Sequence, residues 1–165
     1  MYNILKIVLL SIFFASCAKN NSENNSVNTP QPENQPVLTG RLVFHSYSCY
    51  GCNDSKLFIY NFSTNILTRV DANWGMNNCM NAHFSPDGKK IVFMGTGTGT
   101  SNWDIFLWTI NSTSPPTNLT AVLGSSSRDE DPKFSNSGNK IVFKHNGHLA
   151  EMDLNGNIIR TVTTD

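Results

Sequence analysis

The chain has 165 residues, 39% hydrophobic and 15% charged, and its formal charge balances at zero. That length serves one ordinary domain. A balanced charge, with no like-charge run longer than Asp129-Glu130-Asp131, excludes the electrostatic footprint of nucleic-acid binding.

The N-terminus carries Lys6, then an apolar run over 7–15, then Phe14-Ala15-Ser16-Cys17. A short apolar segment ending in small residues reads as a secretory signal, too short to span a bilayer as a helix. Its ending resembles a bacterial lipoprotein signal. The resemblance implies cleavage after residues 1–16 and lipid modification of Cys17. Residues 17–39 are rich in Asn, Pro, Gln and Ser. Such a stretch buries too little apolar surface to offset its ordering entropy and reads as a flexible, lipid-anchored linker. Multiple acyl chains hold a protein on a membrane at about 0.8 kcal/mol per buried CH₂. No aspartate follows Cys17, so in a two-membrane source the outer membrane is the expected address.

Residues 40–165 read as short strands separated by turns, with no helical period. The first unit, 40–70, holds Arg41-Leu42-Val43-Phe44, a strand over 57–62 and Leu67-Thr68. The second, 80–122, has a short strand over 82–84, the turn Ser85-Pro86-Asp87-Gly88, and strands over 90–94, 105–110 and 118–122. Proline presets φ in that turn and glycine accepts a positive φ at its end. The third unit, 130–165, repeats the second. Residues 134–143 echo 84–93 at a distance of 50, and Phe44 lies 49 before Phe93. A fixed period of this size marks a repeat architecture. Consecutive apolar positions such as Ile91-Val92-Phe93 argue for sheets covered on both faces.

The run Phe84-Ser85-Pro86-Asp87-Gly88-Lys89-Lys90-Ile91-Val92-Phe93, with Asp129-Glu130-Asp131-Pro132-Lys133-Phe134, resembles the TolB-like (WD40-like) β-propeller repeat. The third unit departs from it with Asn136-Ser137 in place of Pro-Asp. The implied fold is all-β: a partial propeller of about three four-stranded blades, the first lacking its innermost strand. Trp103-Asp104 is no WD repeat signature, since it precedes a strand rather than ending one. Propellers usually close with four to eight blades. The array is therefore expected to be incomplete, with apolar blade faces and strand edges in water. A longer chain, self-association into a full ring, or a compact unclosed domain would each answer that.

In such an array the long loops gather on one face, where binding usually resides. The candidate contacts there are Tyr47, Tyr50, Trp74, Met76, Trp103 and Asp129. Cys49, Cys52 and Cys79 share that face and are the disulfide candidates. Cys49 pairs with Cys52, or either bridges to Cys79 across blades, closing a loop of about 30 residues worth about 3 kcal/mol. A zinc site on the three thiolates with His45 or His83 is the alternative, although a lone C-x-x-C is a weak metal signal. Residues 129–131 read as a solvated acidic turn, and the Gly-Thr run over 95–100 as a flexible loop. No nucleophile elbow and no His-Glu-x-x-His occurs. The expected function is a non-catalytic, membrane-tethered envelope lipoprotein, without metal or cofactor, that docks a protein, peptide or glycan. The alternative is an accessory propeller of a longer envelope hydrolase or peptidase.

Overall fold

The computed structural model describes residues 38–49, 51–97, 101–124 and 126–164. The signal, Cys17, most of the linker and Tyr50 lie outside them. Among the described residues, eleven strands form three antiparallel sheets. The first holds β1 (Arg41–Ser46), β2 (Lys56–Asn61) and β3 (Ile66–Arg69) in that order. The second holds β4 (Met76–Phe84), β5 (Lys90–Gly97), β6 (Asp104–Thr109) and β7 (Thr117–Asn118). The third holds β8 (Asp129–Phe134), β9 (Lys140–His145), β10 (His148–Asp153) and β11 (Ile158–Thr161). Each sheet is a meander, and the three pack face to face as blades of a partial β-propeller.

The same local chemistry builds each blade. In the second, the Ser85 carbonyl accepts the Gly88 N–H at 2.8 Å and the Ser85 hydroxyl accepts the Lys90 N–H at 2.8 Å. Gly88 sits at φ 67°, where a side chain would be strained. In the third, Ser135 and Gly138 repeat the turn, with Gly138 at φ 73°. A second repeated device clasps the outer strands. The N–H of Leu57, Ile105 and Leu149 donates to the side-chain oxygen of Asp71, Thr120 and Thr163, respectively. Their carbonyls accept the N–H of Val70, Leu119 and Val162. The first unit thus closes on Val70-Asp71, not on Leu67-Thr68 as the spacing implied.

Several strands are longer than their sequence implied. β5 runs on to Gly97, so Gly95, Thr96 and Gly97 are strand rather than part of a flexible loop over 95–100, and Thr96 is buried. β4 starts at Met76 and β8 at Asp129, inside segments that read as polar loops. β7 is shorter, and the chain turns through a 3₁₀ segment at Ala121–Leu123 instead of continuing the strand.

The core lies between blades. Leu57, Ile91, Phe93, Phe106 and Trp108 fill the space between the first and second. Val92, Met94, Ile105, Ile141, Phe143 and Met152 fill the space between the second and third. The second blade is therefore buried on both faces, which explains its unbroken apolar runs. Each fully buried large side chain contributes about 1.5–3 kcal/mol by leaving water.

The two outward faces differ. On the first blade, cross-strand pairing aligns Leu42, Tyr60 and Leu67, and Phe44 with Phe58, on the side away from the core. Leu42 and Leu67 are about half exposed, and the Phe44 and Phe58 rings stack at 5.5 Å. On the third blade that expectation of an apolar face fails. Glu151 there joins Lys140 at 3.0 Å and Arg160 at 2.8 Å, and Glu130 joins Lys144 at 2.8 Å and Arg128 at 2.7 Å.

Candidate binding cleft

Two bulged strands set the site. Pairing of β4 with β5 slips between Met80 and His83, and pairing of β8 with β9 slips between Glu130 and Lys133. Each slip holds a residue of left-handed backbone, Asn81 at φ 52° and Asp131 at φ 55°. Asn and Asp tolerate that region better than other side chains. A bulge bends its strand and re-aims a side chain. Here it brings together two residues 50 apart, the Asn81 Nδ2 donating to Asp131 Oδ1 at 2.5 Å.

A cleft of about 400 Å³ opens over this pair. The loop between β1 and β2 forms one wall; Trp103 and the cluster of Arg128, Glu130 and Lys144 also line the cleft. The loop is tightened by a Cys49–Cys52 disulfide, Cα to Cα 5.3 Å. The Ser48 hydroxyl and N–H both donate to Asp54, and these bonds hold its carboxyl below the usual carboxylate range. Ser55 fastens the loop to β4: its hydroxyl donates to the Cys79 carbonyl at 2.9 Å and its carbonyl accepts the Cys79 N–H at 3.3 Å. Burial works to raise the Glu130 carboxyl, but the bonds from Lys144 and Arg128 outweigh it and hold it low.

The structure separates the residues singled out from sequence. Tyr47 lines the cleft, 46% exposed, its ring stacked on His45 at 5.8 Å. Trp103 also lines it, half buried against the core of the second and third blades. Trp74 does not reach it. Its ring packs on Phe93 at 5.2 Å and Trp108 at 4.9 Å, inside the core between the first two blades. Met76 belongs to strand β4 and packs on the same core. Its methyl presses on Gly95, where a Cβ would come within 2.6 Å of it. Asp129 is fully buried, holding His145 Nδ1 at 2.6 Å and Ser127 Oγ at 3.2 Å. These three brace the scaffold: each is spent on packing or pairing before a ligand arrives.

Cys79 is a free thiol, buried and pushed well up in pKa by desolvation and by Asp71. It therefore takes no part in the disulfide, and with Cys49 and Cys52 joined the three thiolates a zinc site needs are not on hand. Among the described residues no cluster of His, Cys, Asp or Glu could hold a metal. His45 and His83 serve as clips between blades. His45 Nδ1 accepts the Asn81 N–H and His83 Nδ1 the Phe134 N–H, each at 3.3 Å. Burial lowers both pKa values, and Lys133 lowers that of His83 further.

Sequence reasoning missed Asn78, Asn81, Asp54, Arg128 and Lys144 as cleft residues, and read Glu130 and Asp131 as a turn. The available signal was the repeat itself, which aligns Asn81 with Asp131 inside otherwise matching strands. What results is amphipathic: two aromatic walls, several carboxamides, and carboxylates beside paired cations. Such linings suit ligands with both apolar faces and hydrogen-bonding edges. No histidine lines the cleft among the described residues, and the Ser55 hydroxyl is already committed.

No family model and no curated protein matches this chain. Solved structures do. A protein described as TolB from Agrobacterium tumefaciens superposes with a TM-score of 0.60 at 20% identity, over 74% of this chain and 45% of that one. TolB from Acinetobacter baumannii gives 0.53 at 21% identity, over 76% and 31%. The β-propeller domain of the Trilobed protease from Pyrococcus furiosus gives 0.54 at 15%, over 79% and 42%. At these identities the likeness shows the propeller fold. The chain spans less than half the length of each of these structures.

Proposed function

We propose that this chain is a cell-envelope lipoprotein, anchored through Cys17, whose propeller blades act as a non-catalytic binding module. Its partner is an envelope protein, peptide or glycan that docks in the cleft over Asn81 and Asp131. The observation that carries the reading is that cleft: it gathers aromatic, amide and carboxylate groups from all three blades around two bulges placed alike in the repeat. TolB-like structures support a propeller used for binding. The lipoprotein-like ending at Cys17 supports the anchor.

The test is photocrosslinking in cells, with a photoreactive residue at position 47 in the cleft or at Val122, which is 86% exposed and outside it. Discrete adducts from position 47, absent at 122 and lost with Asp131→Ala, are the expected result. Matching adducts from both positions would overturn the cleft. Separately, Cys17→Ser should move the protein from the membrane to the soluble fraction.

A second reading draws on the protease propeller among the similar structures. In it the blades are the accessory part of a longer envelope hydrolase or peptidase. A serine nucleophile elbow encoded in frame beyond Asp165 would favour it over the binding module.

A further inference from the structure

Corresponding main-chain groups meet different fates in the three blades. In the second, Val92 pairs with His83 of β4; in the third, Val142 pairs with Lys133 of β8. The corresponding residue in the first blade is Val43. Its sheet runs β1-β2-β3, and among the described residues no strand lies beyond β1. The direction of its hydrogen bonds follows from the ladder. The Gly40 carbonyl accepts the Phe62 N–H at 3.0 Å. Antiparallel bonding alternates along a strand. Gly40, Leu42, Phe44 and Ser46 therefore bond towards β2, and Arg41, Val43 and His45 aim their N–H and C=O groups the other way. The Leu57 carbonyl accepting the Val70 N–H at 3.0 Å agrees, since it turns Leu57 and Ile59 to β3 and Phe58 and Tyr60 to β1.

We infer that the free edge of β1 is an acceptor for an extended strand from another polypeptide, docked antiparallel so that it completes the first blade. The edge residues Arg41, Val43 and His45 do not line the cleft, and the inference does not rest on the reading above. The molecule contains two templates for the occupant. β4 and β8 fill the corresponding place with nine and six residues. Each sets a phenylalanine opposite the isoleucine that matches Leu42: Phe84 opposite Ile91 and Phe134 opposite Ile141. The incoming strand should carry an aromatic or large aliphatic residue there. Directly opposite residues share a sheet face, so it would extend the apolar surface of Leu42, Phe44, Phe58 and Tyr60. Main-chain bonds would supply affinity and the alternate side chains specificity.

Two nearer occupants fit less well. Residues 28–36 of this chain contain Pro30, Pro32 and Pro36 and no other apolar side chain. Proline lacks a ladder donor, and nothing there matches Phe84 or Phe134. Two-fold pairing of β1 with itself about Val43 would set Arg41 against His45, with no opposite charge to meet it.

The test is hydrogen exchange on the full-length chain. The probe is a synthetic peptide with the sequence of residues 76–85, carrying serine for Cys79. Val43 and His45 amides should exchange fast in the free protein at all concentrations and slow by about tenfold or more at saturating peptide. Val43→Pro should abolish that protection while leaving the Phe44 and Phe58 amides slow. Proline is tolerated on a strand edge where its missing N–H faced solvent. Slow exchange at every concentration without peptide would assign the edge to this chain's own segment and overturn the inference. Protection that grows with protein concentration would assign it to a second copy, with the same consequence. Fast exchange unmoved by the peptide, in a wild-type protein whose other strands are protected, would also overturn it.

Discussion

Leu42, Phe44, Phe58 and Tyr60 cover the outward face of the first blade; Val142, Lys144, Leu149 and Glu151 cover the outward face of the third. Both sets have counterparts in the second blade, where both faces are buried. The first set matches Ile91, Phe93, Phe106 and Trp108, so it keeps the chemistry of an interface between blades. The second matches Val92, Met94, Ile105 and Leu107, so two of its four positions have become charged. Each of those charges has a partner on the same face: Lys144 with Glu130, and Glu151 with Lys140 and Arg160. One repeat has thus given a face that still asks for a covering element and a face that is finished by pairing in water. Paired charges on a solvated face add little stability, but they keep an apolar patch from forming there.

The largest test of that contrast uses matching phenylalanines. Phe93 is fully buried, its ring 5.2 Å from Trp74 and 5.6 Å from Phe106. Phe93→Ala should cost about 3–5 kcal/mol, as cavities in packed cores do. Phe44→Ala removes the same atoms from the outward face and should cost about 1 kcal/mol. Urea unfolding followed by tryptophan fluorescence measures both. Equal losses would mean that the first blade's face is covered after all.

A second test rebuilds one face as the other. Glu130→Met, Lys144→Met and Glu151→Leu together give the third blade the residues of the second. The triple variant should remain folded and elute as larger species in size exclusion, where the parent does so less. If it elutes as the parent does, the charge pairs are not what keeps that face free of other copies.

How far the sequence revealed this varies with the kind of residue. The fifty-residue echo carried the blade count and the second, third and fourth strands, because Ile91-Val92-Phe93 and Ile141-Val142-Phe143 are read by burial alone. It failed at the upstream halves of β4 and β8. Asn77, Asn78, Asn81, Asp129 and Asp131 have low strand propensity, and bulges break the two-residue alternation that marks a strand. The cleft lies on those halves, so the site was least legible where it is built. Trp74, Met76 and Asp129 looked like exposed loop contacts for the same reason: with β4 and β8 unrecognised, nothing assigned them to a packed sheet. The finish of the third blade could have been read, since Met94 and Lys144 align at once, but a single lysine in a strand carries no sign of the glutamate it faces.

The smallest effect is a pH dependence that separates contacts between blades from contacts on the third blade's surface. His45 and His83 accept backbone N–H groups as neutral imidazoles, and burial depresses both pKa values. A depressed value means that the unfolded chain takes up the proton first. Their contribution is complete above the ordinary imidazole value of about 6.5 and fades as pH falls from there through the folded values. Glu130 and Glu151 are depressed too, Glu151 by its bonds from Lys140 and Arg160. Their contribution is complete above the ordinary glutamate value of about 4.3 and is lost as pH falls through the folded values. Urea midpoints measured from pH 7.5 down to 3 should therefore decline in two stages. Glu130→Gln with Glu151→Gln should shrink the lower stage and leave the upper one. Asp54, Asp87 and Asp153, also held low by their hydrogen bonds, contribute the rest of the lower stage. His45→Gln with His83→Gln should flatten the upper stage and leave the lower. A single decline, reduced by the glutamine pair and unmoved by the histidine substitutions, would mean that the imidazole clips contribute nothing and that the blades are joined by their apolar cores only.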